Sequence, residues 1–392
     1  MDWETLYCPH EACSYHGIPF SQGRLVKNGS YRGHKQALCK ACGCSVSLRY
    51  GTAYLGLESA STLVEMAVCA LAEGNSLRAT ARIIQIDKDT ACDWLNRAAQ
   101  HCRLVMLFHW RNLHISECQL DELWSFVHTK EENLLSAQHG CERYGDAWVW
   151  LAFAPVCRCV LAFVVGKRTQ ANANLLLDRS AYVTDDQLPF FTSDQLPQYR
   201  NALVHTYGAW QQPPRQGKRG PHPMPRRLPR TDLLYAQVVK VREQGRLVDV
   251  STKIVFGTPE AIAAKIAASP VSHTINTSFI ERDNLSQRQS NRSLTRRTNS
   301  FAKELSGLEK QLWLSLAYYH FILPHQSLRT TLPTPEPTRG SGSPRRWAPK
   351  TPAMAAGLTD HVWTVADLLS YRVPLYFHEH LPKINHLFPH LR

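Results

Sequence analysis

The chain lacks any uninterrupted apolar run of the roughly 18 residues that a membrane-spanning helix needs. Its first residues, Met1-Asp2-Trp3-Glu4, carry acid where a secretory leader carries base. The two absences predict a soluble, intracellular protein. Acid is scarce relative to base throughout: 32 Asp and Glu stand against 45 Lys and Arg, a formal charge of +13 and a pI near 9.3. That deficit points to a polyanionic partner, most simply nucleic acid. In a reducing compartment the 12 cysteines are not expected to form a disulfide framework. A length of 392 residues allows two or three domains and at least one sizeable core.

The cysteines that are present fall into two groups. Cys8, Cys13, Cys39, Cys42 and Cys44 crowd residues 1–50. The pairs Cys8-x4-Cys13 and Cys39-x2-Cys42 flank a Gly- and Lys-rich stretch, Gly23 to Lys35, suited to a β-hairpin. Two such pairs supply four thiolates for a tetrahedral structural Zn²⁺, and a polar module this small has little else to hold it together. Cys44, His10, His16 and His34 are spare donors. Cys69, Cys92, Cys102, Cys118, Cys141, Cys157 and Cys159 lie in apolar segments and read as core packing.

Residues 59–102 read as three short helices. Thr62-Leu63-Val64-Glu65 has the form of a capping box. Gly74-Asn75 breaks the first helix, Ser76 to Ile84 form the second with Ala79, Ile83 and Ile84 inward, and Ile86-Asp87 is a tight turn. Lys88 to Ala99 form the third, with Ala91, Trp94 and Leu95 inward. This is the layout of a helix-turn-helix, whose third helix would present Lys88, Asp89, Thr90, Asp93 and Arg97 to the DNA major groove. An ordinary helical bundle is the alternative.

From residue 115 the apolar period changes to two. Leu120–Val127, Trp148–Ala154 and Val160–Val165 read as strands, followed by a helix at Gln170–Tyr182, a strand at Phe190–Thr192 and a helix at Pro197–Tyr207. That order predicts an α/β, ribonuclease-H-like domain, a mixed sheet flanked by helices. Residues 211–230 are Pro-, Gly- and Arg-rich and read as an irregular basic loop. Leu234–Val241 and Leu247–Phe256 around Gln244-Gly245 form a hairpin, and a helix starts at Thr258-Pro259-Glu260. Residues 331–350 read as a linker to a C-terminal extension, 351–392, with a His-rich end.

Three acidic residues stand out. Asp121 lies in Leu120-Asp121-Glu122-Leu123-Trp124; Asp194 ends Phe190-Phe191-Thr192-Ser193-Asp194; Glu281 lies in Ile280-Glu281-Arg282-Asp283-Asn284 at the start of a basic helix. Two carboxylates at strand ends and a third on a helix can hold a pair of Mg²⁺ or Mn²⁺ ions about 3.5–4 Å apart, an arrangement suited to phosphodiester chemistry. Asp121 and Glu122 are neighbours on a strand and point to opposite faces, so one of them serves a given site and spacing does not choose which. Asp185 and Asp186 fall in a polar loop. Ser278-Phe279-Ile280-Glu281 also has capping-box form, a structural use for Glu281. Asn284, Arg288 and Arg292 follow Glu281 on one helical face, where guanidiniums would meet a phosphate backbone.

These motifs together resemble the DDE transposases of bacterial insertion sequences, of the insertion-sequence-one type. The likeness runs from the cysteine module to about residue 325, on Cys39-Lys40-Ala41-Cys42-Gly43, Leu120-Asp121-Glu122-Leu123-Trp124, Thr192-Ser193-Asp194 with Tyr199, and Ile280-Glu281-Arg282-Asp283-Asn284-Leu285 with Arg288. The resemblance implies Asp121, rather than Glu122, with Asp194 and Glu281 as the catalytic acids and ligands of two Mg²⁺ ions. It also implies a basic residue at Arg288, binding of double-stranded terminal repeats and target DNA, and at least a dimer on DNA. The first cysteine pair departs from it, being spaced by four where two is common. The DNA-binding and catalytic parts, often joined in that family by frameshifting, are here one continuous chain. The expected function is cleavage of transposon ends and joining of the 3′-OH to target DNA, in a bacterial cytoplasm. A DNA-binding regulator without chemistry, or a nuclease that cuts and never joins, are the alternatives, distinguished by product.

Overall fold

The computed structural model describes all residues except 137–142, 214–222, 339, 341 and 392. Cys141 and the centre of the basic insert therefore lie outside the described residues. Among those described, no helix is long and apolar enough to cross a membrane. The chain divides into two compact units: Met1–His109 with Glu309–Arg392, and Trp110–Leu308.

The first unit begins with a three-stranded antiparallel sheet, β1 (Leu25–Tyr31), β2 (His34–Cys39) and β3 (Ser45–Ser47). Three helices follow, α1 (Ser61–Ala72), α2 (Leu77–Ile84) and α3 (Lys88–His109). The expected capping box at Thr62 is not formed: α1 starts at Ser61 after Ala60 with no side-chain cap, and Glu65 instead accepts from Tyr54 Oη at 2.8 Å. Ser76 caps α2 by accepting from the Ala79 amide. Gln85, at φ 58°, turns the chain into α3, where Asp87 Oδ1 takes the Asp89 amide. The inward face of α2 is Thr80 and Ala81, and Ile83 is 62% exposed rather than inward. With only eight residues, one turn of phase decides which apolar side chain is covered. In α3, Ala91, Trp94 and Leu95 are buried as expected.

The second unit is built on a mixed six-stranded sheet. Its strands are β4 (Glu117–Val127), β5 (Gly145–Ala154), β6 (Cys159–Gly166), β7 (Phe190–Ser193), β10 (Tyr235–Glu243) and β11 (Arg246–Phe256), in the order β11-β10-β7-β4-β5-β6. β4, β5 and β6 form an antiparallel meander, while β7 lies parallel to both β4 and β10. Helices α4 (Gln170–Val183), α5 (Pro197–Tyr207), α6 (Pro259–Ala268) and α7 (Ser278–Ser290) complete it. The central strands are buried on both faces: Val149, Trp150, Leu151 and Ala152 are at most 1% exposed, as strands sandwiched by helices require. Gln244 and Gly245, both at positive φ, make the tight β10–β11 turn that Gln-Gly predicts.

Two Pro-rich stretches read as irregular contain paired strands. β8 (Ala209–Gln211) pairs with β9 (Arg226–Leu228) across the basic insert. In the first unit β12 (Thr330–Glu336) pairs with β13 (Arg345–Ala348). A two-stranded ribbon leaves one side of each strand without a partner, and Pro333 and Pro335 are tolerated there because a proline lacks only the donor. After α8 (Leu305–Phe321) and this ribbon come α9 (Pro352–Ala355), α10 (Val365–Ser370) and α11 (Leu375–Ile384). They belong to the same unit as the cysteine module, not to a separate extension. Arg372, 5% exposed, donates to the carbonyls of Tyr50 at 2.8 Å, Leu48 at 2.9 Å and Asp2 at 3.2 Å, and to Thr5 Oγ1 at 2.5 Å.

Candidate metal centres

Cys8, Cys13, Cys39 and Cys42 bring one sulfur each to within 4.8 Å of the others. Cys8 Sγ and Cys42 Sγ are 3.6 Å apart, Cys13 Sγ and Cys39 Sγ 3.8 Å. A tetrahedron of Zn–S bonds of about 2.3 Å has edges of about 3.8 Å, so the four residues fit a zinc ion. Both loops are shaped by backbone hydrogen bonds. Gly43 N donates to Cys39 O at 2.8 Å and Cys39 N to Cys44 O at 2.9 Å; Gly43 sits at φ 74° with nothing near a would-be Cβ. In the first loop Cys13 N donates to His10 O and Gly17 N to Cys8 O, which closes four intervening residues as effectively as two. Burial opposes it, yet backbone donors at Cys42 and Ala41 bring the Cys39 thiol down to about 7, a thiolate-favouring site. Cys44 stands outside the group with its Sγ on Ser45 O, and His34 faces Arg49. His10 and His16 are likewise outside it.

A second group, in the other unit, joins Asp121, Glu122 and Asp194, with one carboxylate oxygen from each within 4.8 Å of the others. The register explains the meeting. Ser193, the last residue of β7, pairs with Leu120 of β4, so β4 runs on past the end of β7 and Asp194 turns off beside the next two residues. Glu122 therefore lies with Asp121 in one acidic group, a proximity that strand alternation alone does not predict: beyond the end of β7, an oxygen from each neighbour comes close to Asp194.

The two neighbours are nevertheless held from opposite sides. On one face of β4, Gln119 Oε1 accepts from the Ile280 amide at 2.9 Å while its Nε2 donates to Asn276 O, which fixes the start of α7 against the strand. Asp121, two residues on, accepts from Asn284 Nδ2 at 2.6 Å and from the Glu122 amide at 2.9 Å. On the other face Glu122 pairs with Arg168 and accepts from Tyr199 Oη at 3.0 Å. Burial and then the charges of Glu122 and Asp194 push the Asp121 carboxyl up to about 7; burial and Asp194 raise Glu122 as well, against the pull of Arg168. Carboxylates crowded together in a half-buried cluster are the donor set that a hard divalent cation relieves.

Glu281 is not in that group. It sits in the first turn of α7, forms an ion pair with Lys240 of β10, and accepts from Thr277 Oγ1 at 2.7 Å. Burial opposes it, but the Lys240 bond holds its carboxyl below the ordinary range. The expected capping box is absent, since the Ser278 amide goes to Asn276 Oδ1 and the helix has no side-chain cap. Arg288 is half-buried, donating to Trp124 O at 3.0 Å and to Leu294 O. Arg292 lies beyond the helix, because Asn291 leaves the helical region and opens a short 3₁₀ turn at Arg292–Leu294; it does not share the face of Asn284.

On α3, Lys88 pairs with Asp89 at 3.0 Å, and Arg97 bonds Asp93 Oδ2 at 2.7 Å and Leu55 O at 3.0 Å. Thr90 is partly exposed beside them. Sequence reasoning missed Arg168, Tyr199's bond to Glu122, and Lys240. Arg168 and Lys240 carried no local signal, since each reaches its partner across more than forty residues. Neither a scan of protein-family models nor a search of curated proteins finds a match to the chain.

Proposed function

We propose that the chain is a DNA transposase of the three-carboxylate type, with a ribonuclease-H-like catalytic domain in Trp110–Leu308 and zinc and helix-turn-helix elements for transposon ends in the N-terminal part. The observation that carries the reading is the meeting of Asp121 and Asp194, from adjacent parallel strands, in a half-buried acidic cluster. The strand order, an antiparallel meander continued by parallel strands, supports the domain reading. The net charge of +13 supports the polyanionic partner.

In this reading Asp121 and Asp194 hold divalent ions, which when bound activate the attacking oxygen and neutralise the leaving one. Asn284 fixes the Asp121 carboxylate by its 2.6 Å bond, and Arg168 with Tyr199 keeps Glu122 from swinging away. Glu281 completes the set by leaving Lys240, whose ammonium then faces the incoming phosphate. Arg288 orients the 124 and 294 backbone beneath the site. Two DNA ends require at least two protomers.

The test is a strand-transfer assay on labelled transposon-end DNA with Mg²⁺, comparing the wild type with Asp194→Asn and Glu281→Gln. Joined product from the wild type alone supports the proposal. Normal joining by Asp194→Asn would falsify the assignment. One observation favours a second reading, a DNA-binding regulator without chemistry: Glu281 is engaged by Lys240 and stands outside the acidic group. End binding without cleavage by the wild type would select it.

A further inference from the structure

Among the described residues β11 is the edge of the six-stranded sheet, hydrogen-bonded to β10 alone. It is also the most exposed long strand of that sheet. Leu247, Val248 and Val250 are 51%, 52% and 53% exposed, and the strand is open on both faces from Arg246 to Lys253. Edge strands are usually guarded by proline, bulges or inward charge, because an open edge recruits another strand. β11 contains no proline over its 11 residues; its ladder with β10 shifts register twice, at Val248 and Val255, and the stretch between them from Asp249 to Ile254 is regular. Among the described residues neither Asp249 nor Lys253 has an ion-pair partner, and across the β10 ladder they face Val241 and Gln237.

We propose that β11 pairs antiparallel with β11 of a second copy of the chain, on a twofold axis through Ser251. The register follows from the backbone. Successive N–H and C=O groups point to alternate edges, so opposed residues in an antiparallel pair share an orientation, and a strand meeting its own copy must cross the axis on a residue. An axis at Ser251, the midpoint of Arg246–Phe256 and of the regular stretch Asp249–Lys253, pairs that stretch with itself. It sets Asp249 opposite Lys253 twice, once on each side, and on the other face Val250 meets Thr252. An axis one residue earlier sets Asp249 against Ser251 and carries Lys253 past the regular stretch. One residue later, Lys253 meets Ser251 and Asp249 falls opposite the irregularity at Val255. Of these three axes only the one at Ser251 joins acid to base, the self-complementarity that an isologous dimer needs.

The experiment is sedimentation analysis of the full-length, zinc-loaded chain, freed of nucleic acid, for the wild type, Asp249→Lys, Lys253→Asp and the double reversal. Both positions changed are exposed, and circular dichroism verifies that each variant is folded. The wild type is expected to be a dimer. Each single reversal sets like charges opposite one another on both sides of the axis and is expected to weaken association by roughly tenfold or more. The double reversal exchanges acid and base between the two positions, which restores the complementarity and the dimer with it. Ser251→Cys, whose residue meets itself, is expected to give an oxidation-dependent covalent dimer that the wild type does not. A monomeric wild type, a dimer indifferent to the single reversals, or a double reversal that stays monomeric overturns the proposal. None of these outcomes depends on transposase chemistry.

Discussion

The two ligand clusters are assembled in opposite ways. The four cysteines come as two local pairs, each closed by its own backbone turns, and the sulfurs stand at zinc-ready separations before any ion is considered. The carboxylates come from segments 73 residues apart in the case of Asp121 and Asp194, and the charge of Asp194 adds to burial in raising both Asp121 and Glu122. The first cluster is a fastening whose ligands have little else to do. The second is held in tension, with Asp121 and Glu122 each bonded to a partner and one expected acid, Glu281, held elsewhere by Lys240. Under the proposed function the first would fasten and the second would react, keeping charge that only its ligand or substrate neutralises.

The contrast is broken most severely at the cysteines. Cys39→Ser should lose zinc, read as metal-to-protein ratio by mass spectrometry, and unfold the module. Structural zinc contributes on the order of 10 kcal/mol in small modules, so the melting transition of that unit should disappear rather than shift. Retention of one zinc per chain in that variant would sink the assignment. Next in size, Asp121→Asn should reduce DNA cleavage on the order of a thousandfold while leaving the fold intact. At a hundredfold excess over its dissociation constant, Mn²⁺ should stabilise the wild type at pH 8 by roughly 2–3 kcal/mol, read as a higher melting temperature, and should not stabilise the variant.

A third prediction concerns pH. Asp121 and Asp283 are both raised to about 7, Asp121 by burial and neighbouring charge and Asp283 by burial, which Gln287 only partly offsets. Their folded values exceed the ordinary one, so between about pH 4 and 7 the native chain binds more protons than the unfolded chain. Metal-free stability is therefore fullest at the acid end of that window and is lost as pH rises through 7. Asp283→Asn, away from the acidic cluster, should flatten part of the slope by an amount of order a few kcal/mol; denaturant titrations at pH 5 and 8 measure it, and an unchanged slope would refute the assignment. The smallest effect is expected at Glu281. In its ion pair with Lys240 the two side chains are 46% and 31% exposed, so Glu281→Gln should cost at most about 1 kcal/mol. A large loss of cleavage with so small a loss of stability would place Glu281 with the reactive acids, whereas equal, minor changes would leave it a surface pair.

What could be read from the sequence was what is local. The cysteine knuckles, the meander, the Phe190–Ser193 strand ending at Asp194, the Gln244-Gly245 turn and the cap at Thr258 are each written within a few residues. Asp121 and Asp194 were legible for the same reason, since each closes or interrupts an apolar β run. Alternation along the strand predicts that Asp121 and Glu122 part to opposite faces, a rule that relaxes where a neighbouring strand stops, and the preference for Asp121 comes from the family resemblance alone. The partners of the acids arrive from far along the chain, Arg168 from 46 residues away, Asn284 from 163 and Lys240 from 41, and no periodicity reports such meetings. The short α2 was misphased at Ile83 because an eight-residue helix gives too few turns to fix its buried face.

The Arg372 guanidinium has a consequence for the order of events at the ribosome. The backbone carbonyls it satisfies belong to Asp2, Leu48 and Tyr50, residues made more than 300 positions earlier. The sheet-bearing unit, Trp110–Leu308, is contiguous and can close while synthesis continues. The unit that begins first is the one that finishes last: its cysteine loops can take metal early, yet the carbonyls behind them wait for a side chain supplied only after the whole inserted unit has emerged. Anything that delays or removes the last segment would leave a finished sheet domain flanked by an incompletely closed neighbour.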